Sequence, residues 1–278
     1  YDYIRKFGFG QNTNIDFSAD QNGIVLAQKY VQNVDLARIS FGQTIAVTPL
    51  QLITAACAAI NGGKLMQPYL VKQMIDDDNK VINEVKPVEV RRVISEDTSQ
   101  TIRGILETVV TEGGGKNAYI PGYRVGGKTG TAQKYRDGII VRDKHVASFF
   151  GFAPANDPKI AVLVVVDEPD VYIDFGSVVA APYAKMILEK ALKYMKVEPQ
   201  NLEEDAQNII ESVEVPDLSG MTCEQAAKAL KDAGLNALIK GKGRVVKQIP
   251  AAGAKVYPHA SVQVTGAEEV DSYTDIFE

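Results

Sequence analysis

The sequence has 278 residues, enough for one large domain or two modest ones. Hydrophobic residues make up 45% and charged residues 23%, a composition typical of a globular protein with a substantial core. The net charge of −5, without a basic stripe, argues against nucleic acid as a partner, because nucleic-acid binders carry a basic excess. The longest apolar runs, 53–60 and 160–166, fall short of the roughly 18 to 20 residues that span a bilayer.

The cysteines and histidines give no metal signature. None of Cys57, Cys223, His145 and His259 has another cysteine or histidine at metal-ligand spacing. We therefore predict that both cysteines are small buried hydrophobic residues and expect no cofactor and no metal, with a zinc site as the less favoured alternative.

The chain begins in what looks like the middle of a helix. The first residue is Tyr1 and not methionine, and residues 1–8 do not have the pattern of a signal peptide. The expectation is that the sequence is the C-terminal piece of a longer protein, and that a membrane anchor lies in the missing N-terminal part.

The first half of the chain predicts helices and one hairpin. Up to about Asn61 the pattern is mostly helical, broken by the polar segment 10–23. Thr48 is a predicted N-cap with Pro49 in the first helical position, and this helix ends at 61–63. Residues 71–93 alternate around the turn 76–79, which indicates a hairpin. Another helix runs from Ser95 through Thr111.

From Tyr123 the pattern becomes β. Three successive strands are predicted at 124–134, 145–153 and 159–166, with turns at 137–138 and 156–158. Because 160–166 is apolar on both faces, we predict a central strand covered on each side. A closing helix follows at 180–195.

The rest of the chain predicts a second, smaller unit. Residues 199–214 are acidic and polar, as in a linker, and 215–265 contain a turn, a helix from Cys223 to Ala233 ended by Gly234, and strand-like segments. The acidic tail 268–278 is predicted to be disordered.

Residues 122–129 match the phosphate-binding pattern G-x-x-x-x-G-K-[ST], and 160–166 followed by Asp167 and Glu168 resembles a magnesium-holding strand. The context favours another interpretation. A phosphate loop must leave a strand and open a helix. Here 116–121 is not an apolar strand, Gly130 disfavours a helix after Thr129, and alternation over 124–132 favours a strand.

The sequence Lys128-Thr129-Gly130 is a signature of penicillin-binding proteins and related β-lactamases. The wider sequence closely resembles the class B penicillin-binding transpeptidases. The segments that carry this resemblance are 41–44, 48–52, 126–134, 146–154 and 159–166, and it extends from about Tyr1 to Met195. Independently, 215–221, 233–235, 248–250 and Gly253 resemble a PASTA domain, as in certain sporulation- or division-specific transpeptidases.

The resemblance implies a fold of the α/β (α+β) class: an antiparallel sheet between helical layers, incomplete at the N-terminus, plus a small α+β module. The corresponding domains are 1–197 for the C-terminal part of the transpeptidase domain, 198–213 for a linker, 214–266 for the PASTA-like domain and 267–278 for the tail.

The resemblance also implies a serine acyltransferase that attacks the D-alanyl-D-alanine end of a peptidoglycan stem peptide and passes the acyl group to an amine on a neighbouring strand. Lys128 would attract the substrate carboxylate and assist proton movement. Thr129 and Thr131 share a face of a strand, and their hydroxyls would bind that carboxylate or that of a β-lactam. The N–H of Thr131 corresponds to the oxyanion-hole donor. Gly130 would allow close substrate approach, with a simple bulge as the alternative.

Other polar residues are weaker candidates. Asp167 and Glu168 are interpreted as turn residues, and Arg136, Asp137 and Lys144 as a solvated loop. The family's Ser-x-x-Lys and Ser-x-Asn patterns do not occur in the sequence, so we expect the fragment alone to be inactive.

The partners implied are peptidoglycan stem peptides, β-lactams and other cell-wall or division proteins, at the extracytoplasmic face of the bacterial membrane. A carboxypeptidase or a β-lactamase with the same motif is an alternative enzyme function. The alternative to an enzyme is a non-catalytic scaffold protein that binds the cell wall.

Overall fold

The structure is a computed structural model, which describes residues 1–18, 20–136, 139–171, 173–200, 213–256 and 260–267. The chain divides into a larger and a smaller compact unit. The helices are α1 (Asp2–Lys6), α2 (Asn33–Ile39), α3 (Pro49–Ile60), α4 (Glu96–Thr111), α5 (Gly176–Val179), α6 (Ala181–Tyr194) and α7 (Cys223–Asp232), with 3₁₀ turns at Gln28–Tyr30 and Lys116–Ala118. The strands are β1 (Lys64–Gln67), β2 (Gln73–Ile75), β3 (Val81–Glu84), β4 (Val88–Arg92), β5 (Gly126–Arg136), β6 (Ile139–Ala153), β7 (Ile160–Asp167), β8 (Val213–Glu214), β9 (Asn236–Lys240), β10 (Arg244–Ile249), β11 (Lys255–Val256) and β12 (Ser261–Ala267).

Helix α3 begins where the sequence predicts. The Thr48 hydroxyl accepts the N–H of Gln51 at 3.1 Å, and the Gln51 side chain accepts the N–H of Thr48 at 3.0 Å. This reciprocal capping box satisfies two amides that would otherwise lack partners. Gln51 is only 2% exposed, and its amide also donates to the carbonyls of Gln11 and Asn22. One buried side chain therefore both starts the helix and anchors the preceding polar segment.

The prediction that the first 61 residues are mostly helical was wrong. Helix α1 has five residues and α2 seven, and much of the remaining chain before α3 is irregular. Isolated contacts order this segment: Ile24 and Ala46 form a β-bridge, and the Asp16 carboxylate accepts the N–H groups of Leu70 and Val71. Such tertiary contacts override a helical pattern in the sequence.

The predicted hairpin in 71–93 is confirmed: β2 pairs antiparallel with β3, and β4 returns to pair with β1. In the turn, the Asp76 carboxylate accepts the N–H of Asp78 at 3.1 Å and that of Lys80 at 2.8 Å. Asp, Asn and Gly favour such turns because their side chains or backbones satisfy local amides.

The larger unit is built on the antiparallel sheet β5-β6-β7. Helix α6 packs on one face through Leu188, in a core cluster with Phe149 that Val162 and Val164 also contact. On the other face, Ile60 of α3 clusters with Phe150 and Phe152 of β6. The expected antiparallel sheet between helical layers is confirmed.

The strand at 160–166 is not central, in contrast to its prediction. In the described sheet β6 lies in the middle and β7 at the edge. Both faces of β7 are nevertheless covered: Val162 and Val164 pack towards α6, whereas Ala161 and Leu163 pack towards α3. The apolar residues on both faces of β7 therefore indicate that helices cover both faces of the sheet, and they do not indicate that strands flank β7 on both edges.

Two glycines open strand β5. A Cβ on Gly126 would lie closer than 3.0 Å to the ring of Phe152, and one on Gly127 equally close to the ring of Phe149. Both rings are fully buried. Because Gly126 and Gly127 point to opposite faces, their bare backbone lets one aromatic ring of β6 pack against each face of β5.

In the smaller unit, β12 pairs parallel with β9 and antiparallel with β10. Helix α7 contributes Ala226 and Leu230 to a core with Val262 and Val264. The predicted helix is confirmed, one residue shorter, and Gly234 follows it at φ +71°. The acidic tail and residues 201–212 of the predicted linker lie outside the described residues.

Cys223 is buried as predicted, whereas Cys57 on α3 is only half-buried; burial raises the pKa of the Cys57 thiol to about 11. His259 lies outside the described residues.

Across the described ranges, no helix combines the length and apolar composition that a bilayer crossing requires.

Candidate active site

The four predicted site residues lie in the middle of β5, which is an edge strand of the described sheet. Lys128, Thr129, Gly130 and Thr131 pair with residues 150, 149, 148 and 147 of β6 in unbroken antiparallel register. Backbone groups of a strand point alternately to its two sides, so half of the amides in β5 face away from β6. An extended ligand can pair with that edge.

The strand also excludes the phosphate-loop interpretation. In a phosphate-binding loop, the lysine and threonine stand where a loop opens a helix. Here Gly126–Arg136 is one continuous strand, so the backbone amides around Lys128 do not converge on a phosphate.

Lys128 is exposed, and its ammonium donates to the carbonyl oxygen of Thr129 at 3.0 Å. No carboxylate among the described residues forms an ion pair with it. Its positive charge therefore remains available to an anionic ligand at this edge of the sheet.

Thr131 is exposed, and α5 fixes its hydroxyl. The Thr131 Oγ1 accepts the N–H of Gly176 at 3.3 Å. Gly176 is required there, because a Cβ would press on the carbonyl oxygens of Ser148 and Gly130. A hydroxyl that accepts from a backbone amide still has its own proton to donate, so Thr131 can hydrogen-bond a carboxylate. Thr129, two residues earlier, lies on the same face of the strand.

The bulge that was an alternative explanation for Gly130 is not present at that residue. Gly130 pairs regularly with Ser148, and the irregularity of the β5–β6 ladder falls between Gln133 and Tyr135. A Cβ on Gly130 would lie 2.5 Å from the Ser148 Oγ. The cross-strand neighbour therefore supplies a structural reason for glycine at this position.

The far end of β5 is tied to β7 by ion pairs that cross β6. Lys134 Nζ lies 2.6 Å from Asp167 Oδ1, and Arg136 Nη2 lies 3.1 Å from Glu168 Oε1. The hydrogen bond that Lys134 donates to the Asp167 carboxylate raises the pKa of Lys134 above its ordinary value. Asp167 is the last residue of its strand, and Glu168 follows at φ +50°. The prediction that both are turn residues was therefore wrong for Asp167, which belongs to β7, and both carboxylates form ion pairs that link β5 to this end of the sheet.

The predicted loop between the first two strands is shorter than expected. Arg136 belongs to β5 and Lys144 to β6, so these two residues are in strands and not in a loop. Tyr135 pairs with Ile140 across the hairpin, so both strands extend beyond the predicted ranges 124–134 and 145–153. The predicted turn, Asp137 and Gly138, lies outside the described residues.

A pocket of about 590 Å³ adjoins Thr131. Its lining also includes Gln133 and Tyr135 of β5, together with Arg38, Phe41 and Phe175 from other parts of the chain. Sequence analysis missed this pocket as a site. The signal was the spacing of Thr131 and Gln133, which places two side chains on one face of a strand, beside the segment 41–44 that contributed only to the resemblance.

Comparisons with known proteins identify the class. Residues 1–189 match the penicillin-binding protein transpeptidase domain family, and residues 213–267 match the PASTA domain family. The chain therefore belongs to the penicillin-binding protein transpeptidase family and carries a PASTA domain, which confirms the resemblance to class B proteins.

Among its relatives, the chain is similar to stage V sporulation protein D of Bacillus subtilis, with 43% identity over 97% of the chain and 42% of that protein. It is also similar to the probable peptidoglycan D,D-transpeptidase PenA of Neisseria gonorrhoeae, with 32% identity over 72% of the chain and 32% of the relative. The chain thus spans less than half the length of these relatives.

Solved structures agree on the fold. Penicillin-binding protein 3 of Mycobacterium tuberculosis, in complex with ampicillin, superposes with a TM-score of 0.66 at 29% identity, covering 73% of this chain and 47% of that one. The transpeptidase domain of penicillin-binding protein 3 from Burkholderia pseudomallei gives a TM-score of 0.62 at 33% identity, covering 71% and 57%.

Proposed function

We propose that this chain is the part of a serine-type peptidoglycan D,D-transpeptidase that binds the substrate's terminal carboxylate. The observation that carries the proposal is the Lys128-Thr129-Gly130-Thr131 segment on an edge strand, with Lys128 and Thr131 exposed, in a chain of the penicillin-binding transpeptidase family. The substrate is a stem peptide ending in D-alanyl-D-alanine, and β-lactams bind as its mimics.

Each residue of the strand has a distinct chemical role. The Lys128 ammonium supplies positive potential to the carboxylate and supports proton movement near the serine. Thr129 and Thr131 donate their hydroxyls to the carboxylate, as charge-assisted hydrogen bonds. The N–H of Thr131 stabilises the oxyanion of the tetrahedral intermediate. Gly130 lets the substrate backbone approach the strand edge.

The nucleophile belongs to a part of the protein outside this sequence. The patterns Ser-x-x-Lys and Ser-x-Asn do not occur among the 278 residues, and we propose that an upstream segment supplies them together with a membrane anchor. The transpeptidase part extends over 1–197, a linker over 198–213, the PASTA module over 214–266 and a tail over 267–278. The domain would act on the outer face of the bacterial membrane, where its substrate lies, and the 278 residues alone would be inactive.

The second candidate is a non-catalytic scaffold that binds the cell wall. The PASTA match over 213–267 favours it, because that module can contact peptidoglycan or division proteins independently of any catalysis.

Release of D-alanine from a stem pentapeptide separates the two functions. The protein to assay is the longer one that includes the upstream serine motif. Transpeptidase or carboxypeptidase activity predicts release, and Thr131→Val should lower kcat/KM about 10- to 150-fold, since a hydrogen bond to a charged group contributes about 1.5–3 kcal/mol. Thr131→Ser, which keeps the hydroxyl, is the matched control and should retain most activity. No release of D-alanine by the longer protein would leave the scaffold as the better account.

A further inference from the structure

The short helix α5 lies directly against the strand that carries the predicted site. The N–H of Gly176, its first residue, donates to the Thr131 Oγ1 at 3.3 Å. A Cβ on Gly176 would press on the carbonyl oxygens of Ser148 and Gly130, so the backbone of α5 approaches the paired strands β5 and β6 closely. The position of α5 therefore decides whether the Thr131 hydroxyl has a backbone donor.

The hydrogen bond between Gly176 and Thr131 is sensitive to small displacements of α5. Hydrogen bonds from N–H to oxygen are usually about 2.7–3.2 Å long, so a bond of 3.3 Å lies at the long end of the range. A small outward movement of α5 would break it. The Thr131 hydroxyl would then be free to rotate, and its proton would no longer be held in one direction.

The side chain of Asn117 reaches α5 from a distant part of the chain. Its Nδ2 donates to the carbonyl oxygen of Ser177 at 2.7 Å, across 60 residues of sequence. Helix α5 has only four residues, and the last four carbonyls of any helix lack intrahelical donors. Asn117 therefore supplies a donor to a carbonyl that so short a helix cannot pair by itself.

The segment that carries Asn117 is fixed by its own packing. Asn117 lies in the 3₁₀ turn Lys116–Ala118. Ala118 is fully buried in the same core cluster as Ala180 and Ala181, the two residues that follow α5. The amide of Asn117 is thus anchored beside α5, and its hydrogen bond helps to set where that helix lies.

We propose that Asn117 is a positioning residue for the binding of the substrate carboxylate, an inference that rests on the proposed function. Its amide holds α5 through Ser177, and the N–H of Gly176 then occupies a lone pair of the Thr131 hydroxyl oxygen. The hydroxyl proton is left to donate to the carboxylate. Asn117 acts through α5 and not by contact with the substrate, and its contribution is to orient a donor before the substrate arrives.

The test is a double-mutant cycle on the longer protein that includes the upstream serine, with the second-order rate constant of penicillin acylation as the readout. Asn117→Ala should lower this rate constant about 2- to 13-fold, which corresponds to the loss of one hydrogen bond of about 0.5–1.5 kcal/mol. In a Thr131→Val background, which has no hydroxyl to orient, Asn117→Ala should cause no further loss. Asn117→Gln keeps an amide donor and should lose less than Asn117→Ala.

A matched control removes a similar hydrogen bond elsewhere in the same unit. The Nδ2 of Asn61, at the end of α3, donates to the carbonyl oxygen of Lys64 at 2.8 Å. Asn61→Ala should leave the acylation rate constant unchanged. Thermal unfolding of the longer protein reports the stability of each variant. Asn117→Asp loses the donor while keeping the size of the side chain, so the same cycle can be run with it where Asn117→Ala does not fold.

The outcomes separate the two levels of the account. Equal losses from Asn117→Ala with and without the Thr131 hydroxyl would overturn the positioning role, because a general disturbance of the sheet acts in both backgrounds. No loss from Asn117→Ala in the wild-type background would overturn it as well. Failure of the wild-type longer protein to form any acyl-enzyme with penicillin would instead overturn the proposed function.

Discussion

The substitution Gly127→Ala tests why two glycines precede the site. The added Cβ would meet the Phe149 ring closer than 3.0 Å and would lie 2.8 Å from the carbonyl oxygen of Phe150. The ring of Phe149 is fully buried in the same cluster as Leu188 of α6, so it has little room to withdraw. A backbone carbonyl cannot turn aside without disturbing the ladder between β5 and β6.

The expected cost follows from two opposing effects. Overpacking a well-filled core costs about 1–3 kcal/mol. Replacing glycine by alanine also restricts the unfolded chain, which offsets about 0.4–1 kcal/mol. Because one of the clashes is with backbone, we expect a net loss of about 2 kcal/mol in the free energy of unfolding. For a domain of this size that corresponds to a fall in Tm of about 4–8 °C.

Urea and thermal unfolding, followed by circular dichroism, measure the effect on the 278-residue chain. The matched control is Gly104→Ala in α4, where a Cβ meets nothing within 4 Å. That change should raise the free energy of unfolding by about 0.5–1 kcal/mol, because alanine is the better helix former. A Gly127→Ala protein as stable as the wild type would refute the argument that the glycine makes room for the Phe149 ring.

Two further predictions concern the same sheet. Asp167→Asn should lower the free energy of unfolding only slightly, as the loss of a partly exposed ion pair does. Because the hydrogen bond to Asp167 raises the pKa of Lys134 from 10.5, the wild type should keep this small advantage in urea titrations below pH about 10 and lose it as the pH rises through the folded pKa of Lys134. An advantage that persists well above that pKa would contradict the assignment. Gly130→Ala should destabilise the chain through the Ser148 hydroxyl, and adding Ser148→Ala should restore stability, because the next atom of that residue is 3.9 Å away. In the longer protein, penicillin acylation should stay slow in both variants if Gly130 admits the substrate, and recovery of acylation in the double variant would assign the glycine to packing alone.

Local chemistry made much of this fold predictable. Thr48 and Gln51 form a capping box that depends on residues three apart, and the strand at Lys128 is visible as alternation around a three-residue motif. Each of these features is decided by neighbours in sequence, so a pattern within a short window is enough to find it.

Contacts between distant residues account for what the sequence did not reveal. Lys134 and Asp167 are 33 residues apart, so the ion pair that ties β5 to β7 has no local signature. The edge position of β7 depends on which strands are present beside it, whereas its apolar pattern records only the helices on its faces. The pocket at Thr131 needs Arg38 and Phe175, which chain folding brings to β5 from opposite ends of the domain.

The most direct test of the central claim is the intact mass of the longer protein, including the upstream serine motif, after exposure to penicillin. We expect a one-to-one adduct that forms much more slowly in Lys128→Ala and is absent from the 278-residue chain alone. Absence of an adduct on the longer wild-type protein, or an adduct that forms equally fast in Lys128→Ala, would contradict the role assigned to this strand.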